Sequence, residues 1–271
     1  MGVKETILKA KALDKGQKLN PKTPILSTNL VTGWAVNFPI YKTCQPTKVC
    51  MANCYAGAKS KPITWNASLN KQVSLMNSVR ENPYEVADRL VQEIAIKSKG
   101  MKFLRWNGVG DLFKESIDCL VHVAESLPNL PIWVVTRIPK WAALVPDLPN
   151  VFVHFSLDSS SLDRYQKVMD LNPLSKQLFF SYTEDDGEVD QPEGLKEIPL
   201  SVYFTNLYAK IADEEYNRIS CPLNTHEDVK DMCERCERCW TTDALKIKEG
   251  ETIYRIGTRP RYYGLPLLEH L

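Results

Sequence analysis

The chain has 271 residues, of which 44% are hydrophobic, enough for one large α/β domain or two small ones. Its net charge of +1 provides no general basic field, so neither nucleic acid nor an acidic membrane surface is indicated as an obligatory partner. No apolar run is long enough for a membrane span or a secretory signal, which predicts a soluble, cytoplasmic protein without a membrane partner.

Residues 1–24 form a lysine-rich extension in which acidic residues are few. This charge run is either a solvated, loosely held N-terminus or an arm that binds nucleic acid. Its lysines are Lys4, Lys9, Lys11, Lys15, Lys18 and Lys22.

The middle of the chain, residues 25–210, contains short apolar runs that end in polar or glycine residues. Val, Ile, Phe and Tyr dominate these runs, and a continuous apolar pattern is typical of parallel strands that are covered on both faces. The predicted strands are 102–106, 132–136, 151–156, 177–182 and 201–205, with further candidates at 34–41 and 252–257.

Helical patterns connect the predicted strands. Apolar residues recur at helical spacing over 114–127, and another helix is predicted to begin at Asn82-Pro83, where a capping residue precedes a proline. Successive strands begin about 20 to 30 residues apart, which is the period of β-α units. We therefore predict an α/β fold that is a partial or complete (β/α) barrel, with residues 211–271 as a cysteine-rich C-terminal subdomain packed on it.

The eight cysteines are more consistent with metal ligands or reactive thiols than with disulfides, because cytosolic reductants keep thiols reduced. They fall into a group of three and a group of four, and only Cys119 stands alone, inside a predicted helix, as an expected core residue. The first group is Cys44, Cys50 and Cys54, and the second is Cys221, Cys233, Cys236 and Cys239.

Cys44, Cys50 and Cys54 lie in one loop after a predicted strand. Three thiolates on a [4Fe-4S] cluster leave one iron open for an outside ligand, whereas four thiolates close the cluster. S-adenosylmethionine can fill the open site, and electron transfer from the cluster then cleaves its carbon–sulfur bond. The alternative is a zinc site or closed cluster with a fourth, distant ligand such as a histidine, although the gap between Cys44 and Cys50 is wide for zinc.

A β/α barrel with a three-cysteine loop after its first strand resembles the radical S-adenosylmethionine superfamily. The superfamily places three and then two residues between its cysteines, with an aromatic before the last; this chain has five and then three, with Tyr55 after the last. The Cys-x-x-x-Cys-Tyr-Ala ending, Arg-Trp-Asn-Gly-Val-Gly-Asp and Cys-x-x-Cys-x-x-Cys-Trp are together similar to an uncharacterised family of bacteriophage-borne proteins. That second resemblance implies the host cytoplasm as the location.

The resemblance gives a role to the glycine turn after the predicted strand 102–106. In the superfamily a Gly-Gly-Glu turn at this place receives the amino group of the methionine moiety, and Gly108, Gly110 and Asp111 resemble a variant of it. Glycines let the backbone approach a ligand, and a carboxylate attracts an ammonium group. The alternative is a tight β-α turn in which Asp111 caps the next helix.

Other polar residues end predicted strands and are expected at the same edge of the sheet. The resemblance implies that Arg137 or Ser156 meets the cofactor carboxylate. It also implies that Asp158, Tyr182 or Glu184 meets the ribose or the substrate. In the alternative interpretation, Ser160 and Asp163 form a helix capping box and the other residues make ordinary ion pairs.

The second cysteine group is large enough to complete a coordination set. A Cys-x-x-Cys-x-x-Cys run is characteristic of iron-sulfur proteins, in which a remote Cys-Pro, here Cys221-Pro222, can supply the fourth ligand. Four cysteines also suit structural zinc, and a zinc subdomain with Arg235 and Arg238 exposed would serve nucleic-acid contact.

These patterns lead to one hypothesis and two alternatives. The chain is predicted to be a radical S-adenosylmethionine enzyme with one or two [4Fe-4S] clusters, which generates a 5'-deoxyadenosyl radical on an unknown substrate and receives electrons from a reductant such as a flavodoxin or ferredoxin. The first alternative is a non-catalytic iron-sulfur protein with a redox or structural role. The second is a zinc-stapled nucleic-acid-binding protein.

Overall fold

A computed structural model of the protein describes residues 16–29, 32–40, 42–52, 54, 62–97, 100–172, 178–184, 192–204, 221, 232–237 and 239–240. The first four lysines of the N-terminal extension, the predicted strand 252–257 and the predicted boundary at 210 lie outside these residues. Among the helices in the described ranges, none is long and apolar enough to cross a membrane.

Seven strands form one sheet in the described structure. They are β1 (Ser27–Asn29), β2 (Gly33–Val36), β3 (Leu104–Trp106), β4 (Ile132–Thr136), β5 (Val151–Leu157), β6 (Leu178–Thr183) and β7 (Leu200–Phe204). The strands lie side by side in chain order; β1 and β2 are antiparallel, and every later pair of neighbours is parallel. The predicted α/β class is confirmed, while the described strands form an open, mostly parallel sheet with β1 and β7 at its edges.

Seven α-helices and one short 3-10 helix (Leu195–Glu197) accompany the sheet within the described ranges. The α-helices are α1 (Lys48–Ala52), α2 (Pro62–Glu81), α3 (Pro83–Lys97), α4 (Lys114–Ser126), α5 (Pro139–Leu144), α6 (Asp163–Leu171) and α7 (Met232–Cys236). The predicted start of α3 is confirmed: Asn82 Oδ1 accepts the Glu85 N–H at 3.2 Å, and the Asn82 side-chain amide donates to Glu85 Oε2 at 3.1 Å.

Helices α2 to α6 cover one face of the sheet, as expected when consecutive parallel strands are joined by crossovers of the same hand. Alternate strand residues such as Trp106, Val134 and Phe155 pack with helix residues such as Leu90 and Leu120 in the main hydrophobic core. We call this the helix face. The strand residues between them point to the other side, which we call the opposite face.

The opposite face carries a second, aromatic cluster. Phe103 and Trp240 stack with ring centroids 4.8 Å apart and an angle of 13° between the rings. Trp240 belongs to the cysteine-rich C-terminal segment, so the described part of that segment packs on the opposite face. The cluster consists of Phe103, Trp133, Phe152, Phe179 and Trp240, with Val135, Cys233 and Cys239 packed against it.

Predicted and observed strands differ most near the first cysteine loop. The predicted strand 34–41 is observed as β2, which ends at Val36 before Pro39, a residue without a backbone N–H. After β2 the Phe38 N–H donates to the carbonyl of Val109 at 2.9 Å, beside the turn that follows β3. The sequence pattern does not predict β1, because Ser27–Asn29 contains no apolar residue.

Candidate metal and cofactor site

The first cysteine loop lies at the carboxyl edge of the sheet, after β2. Cys44 and Cys54 both pack against the buried side chain of Ile40, together with Val109 from the turn after β3. Cys50 lies in α1, close enough to Cys54 for the charge of Cys54 to raise the pKa of Cys50. Three predicted ligands thus lie near the edge at which parallel sheets commonly bind their ligands.

Thr43 anchors the beginning of this loop. Its hydroxyl accepts a hydrogen bond from the backbone N–H of Asp111 at 2.9 Å and donates to the carbonyl of Pro39 at 3.1 Å. Because Thr43 directly precedes Cys44, these two bonds fix the backbone of Cys44 relative to the end of β3.

Thr47 anchors the second cysteine. Its Oγ1 accepts the backbone N–H of Cys50 at 3.0 Å, so Thr47 caps the N-terminus of α1. The same hydroxyl donates to Asp158 Oδ2, and Thr47 and Asp158 are 6% and 0% exposed. Arg164 Nη1 adds a bond at 3.3 Å to the carbonyl of Gln45 in the middle of the loop.

Arg137 links the strand ends beneath these anchors. Its backbone N–H donates to Asp111 Oδ2 at 3.1 Å, and its guanidinium Nη1 donates to Asp158 Oδ2 at 2.5 Å. A second guanidinium nitrogen, Nη2, lies 3.5 Å from Thr183 Oγ1. The ends of β3, β4 and β5 are therefore joined in one buried polar network.

The two carboxyl groups of this network have opposite pKa shifts. Burial would raise the pKa of Asp158, but the hydrogen bond from Thr47 and the positive charge of Arg137 outweigh burial and hold that pKa below its usual range. Burial raises the pKa of Asp111 to about 6, although hydrogen bonds from Thr136 and Arg137 offset part of the effect. Asp158 is thus ionised at neutral pH, whereas Asp111 becomes protonated in mild acid.

The thiol of Cys50 is influenced by charges of both signs. Burial raises its pKa, the positive charge of Arg137 lowers it, and the negative charges of Cys54, Asp158 and Asp111 raise it further. The net result favours the neutral thiol. A metal that binds Cys50 takes the thiolate, so binding would release a proton from this residue.

The predicted glycine turn follows β3 as expected, but protein atoms fill the space beside both glycines. A Cβ on Gly108 would lie 2.5 Å from Asn37 Oδ1. A Cβ on Gly110, where φ is +85°, would lie 2.5 Å from the carbonyl of Phe38. The glycines are therefore required by the close approach of the chain that follows β2.

The carboxylates predicted at this edge accept hydrogen bonds from protein donors. Asp111 does not cap α4 as one alternative predicts; its Oδ1 accepts the Thr136 hydroxyl at 2.5 Å, and the N-cap of α4 is Phe113. The predicted capping box of Ser160 is also wrong, because the Ser160 hydroxyl donates to Asp158 Oδ1 at 2.8 Å. Binding of S-adenosylmethionine by these carboxylates stays a prediction.

Ser156 is the remaining predicted cofactor residue. It lies near the end of β5, where it is 5% exposed and pairs in register with Ser181 of β6. Strand alternation places its side chain on the opposite face, two residues before Asp158 in the chain. A role for Ser156 toward the cofactor carboxylate also stays a prediction.

The described part of the second cysteine group contacts the opposite face. Cys233 in α7 and Cys239 both pack against the aromatic cluster, and Nε2 of the buried His154 lies 2.9 Å from the carbonyl oxygen of Cys239. Burial raises the pKa of Cys233 to about 12, although the positive charge of Arg105 lowers it. The Arg105 guanidinium lies 4.7 Å from the ring centroid of Trp133.

Within the described residues, no three His, Cys, Asp or Glu side chains are arranged so that they could hold a metal ion. Both cysteine groups fall in the described ranges. The donor chemistry nevertheless fits an iron-sulfur cluster or zinc, since both groups consist of thiols. Each group also has an arginine whose positive charge lowers the pKa of one of its thiols: Arg137 for Cys50 and Arg105 for Cys233. These positive charges would offset part of the negative charge of metal-bound thiolates.

Sequence reasoning missed the residues that hold the two cysteine groups in place. Thr47 had a local signal, because a threonine three residues before Cys50 at a helix start is the N-cap pattern. Thr43 had none, since its partner Asp111 is 68 residues away in the chain. His154 contacts Cys239 across 85 residues and likewise had no local signal.

The comparison with protein families now identifies the chain. A family model described as gene product 88 matches residues 4–242, which is most of the chain and includes both cysteine groups. The chain belongs to the gene product 88 family. This membership fits the bacteriophage-borne family that the motifs predict. No curated protein and no solved structure matches this gene product 88 family member.

Proposed function

We propose that Cys44, Cys50 and Cys54 bind a [4Fe-4S] cluster and that the protein is a radical S-adenosylmethionine enzyme. The observation that carries this proposal is that these three thiols lie on one loop at the carboxyl edge of a parallel sheet, with Cys44 and Cys54 both packed on Ile40. Three thiols are the number that leaves one iron open for an outside ligand. The proposed product is a 5'-deoxyadenosyl radical that acts on a substrate yet to be identified.

The sheet topology supports a partial (β/α) barrel as the finer fold. From β2 to β7, each strand is the parallel neighbour of the next, and helices α2 to α6 pack on one face. Barrels of this class are built from the same unit, with their reactive residues at the carboxyl ends of the strands. The opposite face would then be the inner surface of the partial barrel.

The polar network holds the proposed ligands rather than reacting itself. When bound, the cluster supplies the electron that cleaves the carbon–sulfur bond of S-adenosylmethionine. Asp158 holds the backbone of Cys50 through Thr47, and Asp111 holds the backbone before Cys44 through Thr43. Buried, directional hydrogen bonds of this kind orient metal ligands in other metalloproteins.

The residues that we propose to bind S-adenosylmethionine lie at the same carboxyl edge of the sheet. The methionine amino group would meet the turn of Gly108, Gly110 and Asp111, and the carboxylate would meet Arg137 or Ser156. The pKa of Asp111 is raised to about 6 by burial, so this residue is mostly ionised at pH 7 and would attract an ammonium group. Arg137 has the charge that a carboxylate requires and already lies beside Cys50.

The second cysteine group is proposed to hold a second [4Fe-4S] cluster, with zinc as the alternative. Arg105 beside Cys233 would offset part of the negative charge that four thiolates bring to either metal centre. Colour separates the two metals, since protein purified without oxygen is brown with clusters and colourless with zinc alone. The same proposal requires an electron donor such as a flavodoxin or ferredoxin. The bacteriophage-type family supports the host cytoplasm as the proposed location.

The test uses the full chain reconstituted with iron and sulfide under anaerobic conditions. After reduction and addition of S-adenosylmethionine, we expect a changed electron spin resonance spectrum and 5'-deoxyadenosine, measured by mass spectrometry. Cys50→Ala should remove one cluster and leave the other, because it takes away a ligand of the first group only. The matched control is Cys119→Ala, a buried core thiol outside both groups, which should leave the iron content unchanged.

Two outcomes would contradict the proposal. A fully reconstituted cluster whose spectrum ignores S-adenosylmethionine would rule out the enzyme, and unchanged iron in Cys50→Ala would rule out the ligand assignment. The first outcome would favour a non-catalytic iron-sulfur protein with a redox or structural role. The observation behind that second candidate is that Asp111 and Asp158 already accept hydrogen bonds from several protein donors.

The zinc-stapled nucleic-acid-binding protein is the remaining candidate. Of the lysine-rich extension the structure describes Lys18 and Lys22, and Lys18 forms an ion pair with Glu81. A colourless, zinc-loaded protein that binds labelled DNA or RNA in an anisotropy titration would establish this function. Binding should then weaken steeply with added salt, because phosphate contacts release counterions.

A further inference from the structure

α1 is too short to hold its own orientation. It spans only Lys48–Ala52, and an isolated helix of this length is unstable in water because nucleation costs more than one turn of hydrogen bonds returns. The direction of Cys50 within α1 must therefore be set by contacts with the rest of the protein. The N-cap hydroxyl of Thr47 makes one such contact, to a strand end on the other side of the loop.

The side chain of Asp158 is the partner of that hydroxyl, and the described hydrogen bonds of its carboxylate all have it as the acceptor. Oδ2 accepts from Thr47 and from Arg137 Nη1, the latter at 2.5 Å. Oδ1 accepts the Ser160 N–H at 3.1 Å and the hydroxyls of Ser160 and Ser161 at 2.8 and 3.0 Å. Only an ionised carboxylate can accept from all these donors at once, because an amide presents hydrogen atoms on one of its two positions.

These contacts connect the end of β5 to the backbone of Cys50 through two hydrogen bonds, a series that we call the relay. The end of β5 positions Asp158, Asp158 orients the Thr47 hydroxyl, and the Thr47 oxygen accepts the N–H of Cys50. The bond between Thr47 and Asp158 is buried and the bond between Cys50 and Thr47 is partly buried, and hydrogen bonds are directional and weaken steeply when misaligned. A displacement of Asp158 is therefore transmitted to the backbone of Cys50.

We propose that Thr47 and Asp158 are positioning residues for Cys50, which set its backbone so that its sulfur can join Cys44 and Cys54 on one metal centre. The metal part of this inference rests on the proposed function, whereas the hydrogen-bond relay does not. Neither residue touches the metal. Their effect on it passes through the N–H of Cys50.

The first measurement is backbone hydrogen exchange of the Cys50 amide in the full chain, followed by mass spectrometry. Thr47→Val keeps the shape of the side chain but removes its oxygen, and should speed exchange about five-fold. Thr47→Ser keeps the hydroxyl and should restore the slow rate. Ser160→Ala, which removes a donor to the other oxygen of Asp158, is the matched control and should leave the Cys50 rate unchanged.

The second measurement is the release of iron from the first site, defined as the iron that Cys50→Ala removes. Thr47→Val and Asp158→Asn should release this iron to a chelator about ten-fold faster than the unaltered protein, and Thr47→Ser should not. Thermal unfolding of each variant identifies any that fail to fold.

The outcomes separate the relay from the metal site. Equal exchange rates in Thr47→Val and the unaltered protein would overturn the relay. Faster exchange with unchanged iron release would overturn the positioning role while leaving the proposed function intact. If Cys50→Ala removes no iron, the proposed function fails and so does the positioning role, but the exchange result still identifies whether the relay exists.

Discussion

The two cysteine groups are attached to the same sheet by different kinds of interaction. The first loop is held at the carboxyl edge by two hydrogen bonds: the backbone N–H of Asp111 donates to the Thr43 hydroxyl, and the Thr47 hydroxyl donates to Asp158. The second segment is held on the opposite face mainly by apolar contacts, among them the stacking of Trp240 on Phe103. Its described polar contacts include a hydrogen bond between His154 and the Cys239 carbonyl, and Lys102 near Glu234 and Glu237 at the surface. Hydrogen bonds fix direction, whereas apolar packing depends mainly on buried area.

This contrast fits the different tasks proposed for the two regions. A cluster that must present an open iron to a cofactor requires ligands held in one orientation, which a buried polar network can provide. A closed metal site that serves electron transfer or folding requires only that its segment stays docked. We therefore expect the first region to be sensitive to single polar changes and the second to loss of aromatic area.

The largest expected effect is a loss of stability in Asp158→Asn, which disrupts the polar network that holds the first loop. This change removes the ion-pair partner of the largely buried Arg137 and presents amide hydrogens to Thr47, so it should lower the free energy of unfolding by about 3–5 kcal/mol. Urea unfolding measures the loss. The matched control is Asp163→Asn: its ion pair with Lys167 is 66% and 61% exposed on the two sides, so the change should be below about 1 kcal/mol. Equal losses in both variants would contradict the importance of the network.

We expect Trp240→Ala to loosen the second cysteine segment from the opposite face. Removing the ring exposes Phe103 and its aromatic neighbours, and should cost about 3 kcal/mol together with new binding of a hydrophobic dye. Alkylation followed by mass spectrometry should show faster modification of Cys233 and Cys239, with Cys50 unchanged.

Trp240→Phe is the control for that experiment, because it keeps most of the stacked area and should behave like the unaltered protein. Faster alkylation of all three thiols in Trp240→Ala would mean that the two regions are not attached independently. The first loop and the second segment would then depend on the same contacts, and not on separate polar and aromatic ones.

The sequence predicted the sheet better than the attachment of the loops. Strand 132–136 is observed as β4 and strand 151–156 as β5, because continuous apolar runs report burial directly. The grouping of the thiols was also visible, since it needs only spacing. The Thr47–Asp158 bond was not, because it joins residues 111 positions apart and neither residue carries a local sign of its partner.

The smallest expected effect is a pH dependence of the free energy of unfolding that arises from Asp111 in the polar network. The pKa of Asp111 is raised to about 6 by burial, so the folded protein binds this proton more tightly than the unfolded chain does. Its contribution to stability is fully present below the unfolded pKa near 4 and is lost as the pH rises through about 6. Lowering the pH from 7 to 5 should therefore add about 1 to 2 kcal/mol from Asp111.

Other groups titrate in the same range with the opposite sign, so the comparison must be made against Asp111→Asn. His154 is one of them, because burial lowers its pKa to about 4 and acid then favours unfolding. Subtracting the pH dependence of Asp111→Asn from that of the unaltered protein cancels His154 and leaves Asp111 alone. Parallel curves between pH 5 and 7 would show that Asp111 is not perturbed by burial, and the polar network at the carboxyl edge would then be more open to water than its hydrogen bonds indicate.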